Sequence, residues 1–107
     1  MHKIICLEII KTSLEIVQKH NGSDKWLIEQ CSSAYSGEKD VFHAMRDGVE
    51  AFHDMRGWAK ILTEYYEVIS KSGATQGYLE DVLRVSYNLT SAANKVEYSM
   101  KLMKEMI

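Results

Sequence analysis

Apolar residues recur at intervals of three and four along most of this chain, which is the spacing that places side chains on one face of an α-helix. The pattern predicts four helices, over residues 3–19, 24–35, 38–71 and 76–107. The fourth has the most regular stripe, formed by Leu79, Val82, Ser86, Leu89, Ala93, Val96, Met100, Met103 and Ile107. The third has a similar stripe, formed by Phe52, Met55, Ala59, Leu62, Tyr66 and Ile69.

Glycine-containing segments separate the predicted helices, at Asn21-Gly22, Ser36-Gly37 and Ser72-Gly73. Glycine tolerates the left-handed backbone conformation that often ends a helix. The chain contains no proline, the strongest helix breaker, so long helices are favoured. We therefore expect an all-α fold: an antiparallel four-helix bundle with a long C-terminal helical hairpin, formed by residues 1–107 as a single domain.

Composition narrows the range of functions. The net charge of −2 gives no basic surplus, which argues against a nucleic-acid-binding role. No apolar run approaches the roughly 20 residues of a membrane span, and the N-terminus lacks the pattern of a signal peptide. Cys6 and Cys31 have no neighbouring ligand residues, which is typical of reduced thiols. These features predict a cytoplasmic protein without membrane segment or cofactor.

The residues around His53, in the third predicted helix, form the candidate catalytic site. At 100° per residue, His53 points about 140° away from the buried stripe. Gly57 lies almost opposite that stripe, and Arg46, Glu50 and Lys60 fall on the same outward face as His53.

This arrangement suits phosphoryl transfer, because an imidazole accepts a phosphoryl group only when another protein's active site can reach it. A residue without a side chain one turn away leaves space for that approach. Cations nearby stabilise the added negative charge. We therefore take His53, Arg56, Gly57 and Lys60 as the candidate catalytic residues.

The segment from His53 to Ala59 resembles the motif of histidine phosphotransfer domains, which has His, two residues, Lys or Arg, Gly, a variable residue, then Ser or Ala. It is also similar to the H-box of sensor histidine kinases, which Asp54 and Arg56 match. Trp58 stands where that box has proline, and no ATP-binding motif follows.

The resemblance implies a bundle that relays a phosphoryl group between His53 and an aspartate of a receiver domain. Such a protein is an intermediate in phosphotransfer rather than a stand-alone enzyme. Its partner is the receiver domain or another regulated protein. The long stripe of the fourth helix also predicts a homodimer, because the first two helices look too short to cover it.

Two other functions remain open. The first is a non-enzymatic helical adaptor or inhibitor, of phage or mobile-element origin, that binds one protein partner. The second is a HEPN-like ribonuclease, because Arg46 and His53 resemble the Arg and His of the motif of that family and lie two turns apart on one face. A metal site built from His43, Glu50 and His53 is not expected, since no fourth ligand has suitable spacing.

Overall fold

A computed structural model describes residues 1–33 and 39–107, and every secondary-structure element in these ranges is a helix. The helices are α1 (His2–Lys19), α2 (Ser23–Ser33), α3 (Lys39–Ser72) and α4 (Gln76–Met106). The all-α prediction is confirmed. Each predicted helix end that falls on a described residue lies within one residue of the observed end. The predicted end of the second helix, the Ser36-Gly37 turn and the predicted start of the third helix at residue 38 lie outside the described residues.

Two of the predicted turns depend on glycine. Gly22 has φ +84° and Gly73 has φ +79°, a conformation that costs residues with a Cβ about 1–2 kcal/mol. Gly22 separates α1 from α2, and Gly73 follows α3 with its amide donating to the Ile69 carbonyl. Glycine is therefore required at these positions by the backbone conformation itself.

Helix α4 begins with a side-chain cap. Thr75 has extended backbone angles, and its hydroxyl oxygen accepts a hydrogen bond from the Tyr78 amide at 3.2 Å. This contact satisfies one of the amides that have no partner in the first turn of a helix.

We expect Thr75→Ala to lower the free energy of unfolding by about 1 kcal/mol, because the amide of Tyr78 loses its acceptor. Urea unfolding followed by circular dichroism measures the change. Thr75→Ser keeps the hydroxyl and is the matched control. Equal losses in both variants would show that the cap hydrogen bond is not the cause.

The two long helices form an antiparallel hairpin, with the hydroxyl of Tyr65 in α3 donating to Asp81 in α4 at 2.9 Å near its turn. Helix α1 lies along the half of the hairpin nearest this turn, where the Lys3 ammonium reaches the Ser70 carbonyl at 3.0 Å. Helix α2 lies along the other half, where Leu27 packs beside Gly48. Both short helices pack on α3 and on α4.

The packing differs from the predicted cross-section of four helices. Within the described residues, α1 and α2 have no contact with each other. They follow one another along the hairpin, so that three helices meet at each level of a body measuring 54 × 18 × 16 Å. At 1.5 Å per residue, α1 and α2 placed end to end are almost as long as α3, so that together they can extend along most of it.

The buried residues form two clusters, one under each short helix. The larger lies between α1, α3 and α4 and includes Cys6, Ile10, Phe52, Met55, Leu62, Ile69, Val82, Leu89 and Val96. The smaller lies between α2, α3 and α4 and consists of Leu27, Val41, Ala44 and Met103. Met100 packs against both clusters and so joins them.

The apolar stripe of α4 is largely covered within one chain. Val82, Leu89, Val96 and Met103 are completely buried, because α1 and α2 together cover the length that neither covers alone. Helices α1 and α2 of one chain therefore cover the stripe without a second copy, and the homodimer stays a prediction.

Candidate functional site on helix α3

His53 lies in the middle of the longest helix, with its side chain exposed to solvent. Its neighbours Phe52 and Met55 are buried in the larger cluster and fix the orientation of the helix about its axis. The outward direction expected for His53 therefore follows from the packing of the opposite face of α3.

Gly57 and Lys60 continue the exposed face on which His53 lies. The three residues have spacings of four and three, which place them on adjacent turns. A Cβ built on Gly57 would have no atom within 4 Å, so that no other element of the described chain covers this turn. Steric access to His53 from this side is open.

Arg56 is exposed but is directed towards α1. Its guanidinium carbon lies 6.0 Å from the centroid of the Phe52 ring, a cation–π distance. It also lines a shallow cleft beside Leu14 and Val17 of α1. Of the two predicted cations, Lys60 therefore continues the His53 face, while Arg56 stands at its edge.

Within the described residues, His53, Arg56 and Lys60 have no ion pair and no side-chain hydrogen bond. A neutral imidazole whose nitrogens are not engaged in the fold retains a lone pair for a nucleophilic attack. The arrangement can thus offer a nitrogen nucleophile on a rigid helix, with an ammonium group two turns away.

Two other residue sets lie on this helix, the Arg46–His53 pair and the set of His43, Glu50 and His53. The Arg46 guanidinium donates to the carboxylate of its neighbour Asp47 at 3.2 Å and is exposed, so that it does not engage His53. Across residues 1–33 and 39–107, no group of three or more His, Cys, Asp or Glu side chains is arranged to hold a metal ion. His43, Glu50 and His53 therefore do not converge.

Sequence reasoning missed an open groove between α3 and α4, with a volume of about 660 Å³. We call it the α3/α4 groove. Its α3 side carries Asp40, Asp47, Glu50 and Asp54. The signal was present in the sequence, because acidic residues at positions 40, 47 and 54 repeat every seven residues on one face of a helix.

Tyr65 and the two cysteines have structural surroundings. Tyr65 fills the crevice near the hairpin turn, edge to face with Tyr78 at a centroid distance of 5.7 Å. Its hydrogen bond to Asp81, together with burial, raises the pKa of the Tyr65 phenol. Cys6 and Cys31 are free thiols, and burial raises the pKa of Cys6, which disfavours the reactive thiolate.

His20 is a buried residue that the sequence pattern did not indicate. It directly follows α1 and is only 6% exposed, and its Nε2 lies 3.2 Å from a carboxylate oxygen of Glu97 in α4. The contact ties the junction between α1 and α2 to the hairpin.

In residues 1–33 and 39–107, no helix is long and apolar enough to cross a membrane. Comparison with known proteins found no matching family model, no matching curated protein and no matching solved structure.

Proposed function

We propose that this chain is a histidine phosphotransfer module, in which His53 accepts a phosphoryl group from the aspartate of a receiver domain and passes it on. The single observation that carries the proposal is the exposure of His53 beside the uncovered turn at Gly57. A receiver domain that docks over this turn meets no side chain at the position where it must approach most closely.

The transfer step requires a nitrogen nucleophile, which His53 supplies, and a phosphoryl group on a carboxylate leaving group, which the donor supplies. A lone pair of the neutral imidazole attacks the phosphorus of the aspartyl phosphate. A P–N bond forms, the P–O bond to the donor carboxyl breaks, and the carboxylate leaves with that electron pair. The proton on the other ring nitrogen is then free to pass to water. Lys60 lies on the side of the incoming charge, and the rigid helix holds the nitrogen in line.

The proposal predicts that His53→Gln abolishes phosphoryl labelling. The chain is incubated with a panel of receiver domains carrying radiolabelled phosphate, and acid-labile label on the chain is counted. Wild-type protein should take up label from at least one receiver, whereas His53→Gln should take up none. Because His53 is exposed, circular dichroism and the unfolding midpoint should stay unchanged.

A second pair of variants tests the role of the uncovered turn. Gly57→Glu fills the docking space and repels phosphate, so labelling should be lost, although the helix gains about 0.5 kcal/mol of propensity. Glu67→Gln, at an exposed position farther along α3, is the control and should label normally. Absence of label from every receiver, or equal labelling of His53→Gln, would contradict the phosphotransfer function.

The alternative is a non-enzymatic adaptor or inhibitor that binds one protein partner. It is favoured by the α3/α4 groove, whose lining residues belong to α3 and α4 alone within the described chain. An adaptor or inhibitor needs no reaction at His53. A chain that takes up no phosphoryl label but binds a partner through the groove would therefore support the alternative. The four-helix bundle predicted from the sequence would then be completed by a helix of the partner.

A further inference from the structure

The α3/α4 groove lies where a fourth helix would complete the bundle. Its floor consists of small side chains, with Ala44 and Ala51 from α3 and Ser99 from α4, all of them buried. Small residues on facing helices leave a deep channel between the larger side chains on either side. The groove is therefore shaped to accept an elongated object along the hairpin.

The two walls of the groove differ in chemistry. Four carboxylates and the exposed side chain of His43 form the α3 wall, and Asp40 to Asp54 span about 21 Å at the rise of an α-helix. Of these four carboxylates, only that of Asp47 has an ion pair in the described part of the chain, with its neighbour Arg46. The α4 wall is formed by Lys95, Tyr98, Leu102 and Met106, so that one cation faces four anions.

From this pairing of walls, we infer that the α3/α4 groove binds a basic amphipathic α-helix of a protein partner. Lysine or arginine side chains along one flank of that helix would pair with the carboxylates of α3. Its apolar face would pack on Leu102, Met106 and the ring of Tyr98, which is 63% exposed. Binding would also relieve the mutual repulsion of carboxylates that lack cations of their own.

Charge excludes the other large occupants of such a groove. A second copy docked through the same face would bring four further carboxylates but only one further lysine, so that the shared contact would keep a large excess of anions. Nucleic acid and anionic membranes would be repelled for the same reason. The inference goes beyond phosphotransfer, because His53 lines no part of this groove.

The experiment uses a synthetic peptide of about 18 residues with leucines on one helical face and lysines along one flank, labelled with a fluorophore. Its control peptide has glutamate in place of each lysine. Fluorescence anisotropy with the full chain gives Kd at low and at physiological salt. The lysine peptide should bind at least about ten-fold more tightly than the glutamate peptide, and should weaken as salt rises.

Two double variants separate docking in the groove from general attraction to an acidic protein. Glu50→Lys with Asp54→Lys reverses charge inside the groove and should raise Kd at least about ten-fold. Glu64→Lys with Glu67→Lys makes the same change of net charge elsewhere on α3 and should alter Kd by no more than about three-fold. Equal weakening by both pairs would overturn the proposal.

Further measurements test the apolar α4 wall and the possibility that a second copy of the chain occupies the groove. Tyr98→Ala, which leaves the charge unchanged, should weaken binding of the lysine peptide, and unaltered Kd would contradict docking in the groove. Light scattering shows whether the chain forms a dimer. A dimer that is lost in the variant with Glu50→Lys and Asp54→Lys would assign the groove to a second copy and overturn the proposal. His53→Gln should bind the peptide as the wild type does, so that failure of phosphotransfer and failure of groove binding are distinguishable.

Discussion

Replacing Leu89 by alanine should lower the free energy of unfolding by about 2–5 kcal/mol, the largest loss that we expect from a single truncation in α4. Leu89 is completely buried in the larger cluster, between α1, α3 and α4. Its loss removes apolar contacts and leaves a cavity that long, mutually packed helices cannot easily close. Against a typical domain stability of about 5–15 kcal/mol, this is a large fraction.

Leu83→Ala is the matched control for this change. Leu83 belongs to the same helix but is 50% exposed, so the same truncation should change stability by no more than about 0.5 kcal/mol. Urea unfolding monitored by circular dichroism gives both values from the midpoint and slope. Similar losses in the two variants would contradict the burial assigned to α4 in a single chain.

The second large effect is expected from a small change, Gly48→Ala. A Cβ at Gly48 would lie 2.7 Å from Cβ of Ser99 in α4 and 2.6 Å from Cδ1 of Leu27 in α2. The end of the Leu27 side chain can move, but the Cβ of Ser99 is fixed to its backbone, so α4 itself must shift. Overpacking of this kind costs about 1–3 kcal/mol, which exceeds the gain of about 1 kcal/mol in helix propensity.

Gly57→Ala provides the opposite expectation on the same helix. No atom lies within 4 Å of the added Cβ, so only the propensity term remains, and the protein should become about 1 kcal/mol more stable. Thermal or urea unfolding of Gly48→Ala and Gly57→Ala, each compared with the wild type, measures both changes in stability. Stabilisation by both substitutions would show that α2 and α4 do not approach Gly48 as closely as the structure places them.

The spacing of apolar residues was enough to predict the helices, because an amphipathic helix must bury a stripe of fixed period. Helical periodicity also correctly predicted that His53 is exposed, since Phe52 and Met55 are buried on the opposite face of the helix. Glycines at positions 22 and 73 marked the turns because few other residues adopt their backbone conformation.

Single-helix periodicity was less reliable near the hairpin turn. Tyr66 belongs to the predicted stripe of α3 but is 43% exposed, whereas its neighbour Tyr65 is partly buried against Tyr78. Gly48 and Gly57 cannot be distinguished from the sequence alone, because both are glycines within one predicted helix. Only the neighbours of each residue distinguish close packing at the first from an uncovered turn at the second.

The all-α class, the helices and the outward face of His53 could thus be predicted from the sequence, because they depend on local spacing and backbone preference. The tertiary structure decided how the helices combine. Placement of α1 and α2 along the hairpin, the sharing of the α4 stripe between them and the open acidic groove all depend on contacts between residues far apart in the chain. A periodic apolar stripe predicts that one face of a helix is buried, but it does not predict which helix covers that face.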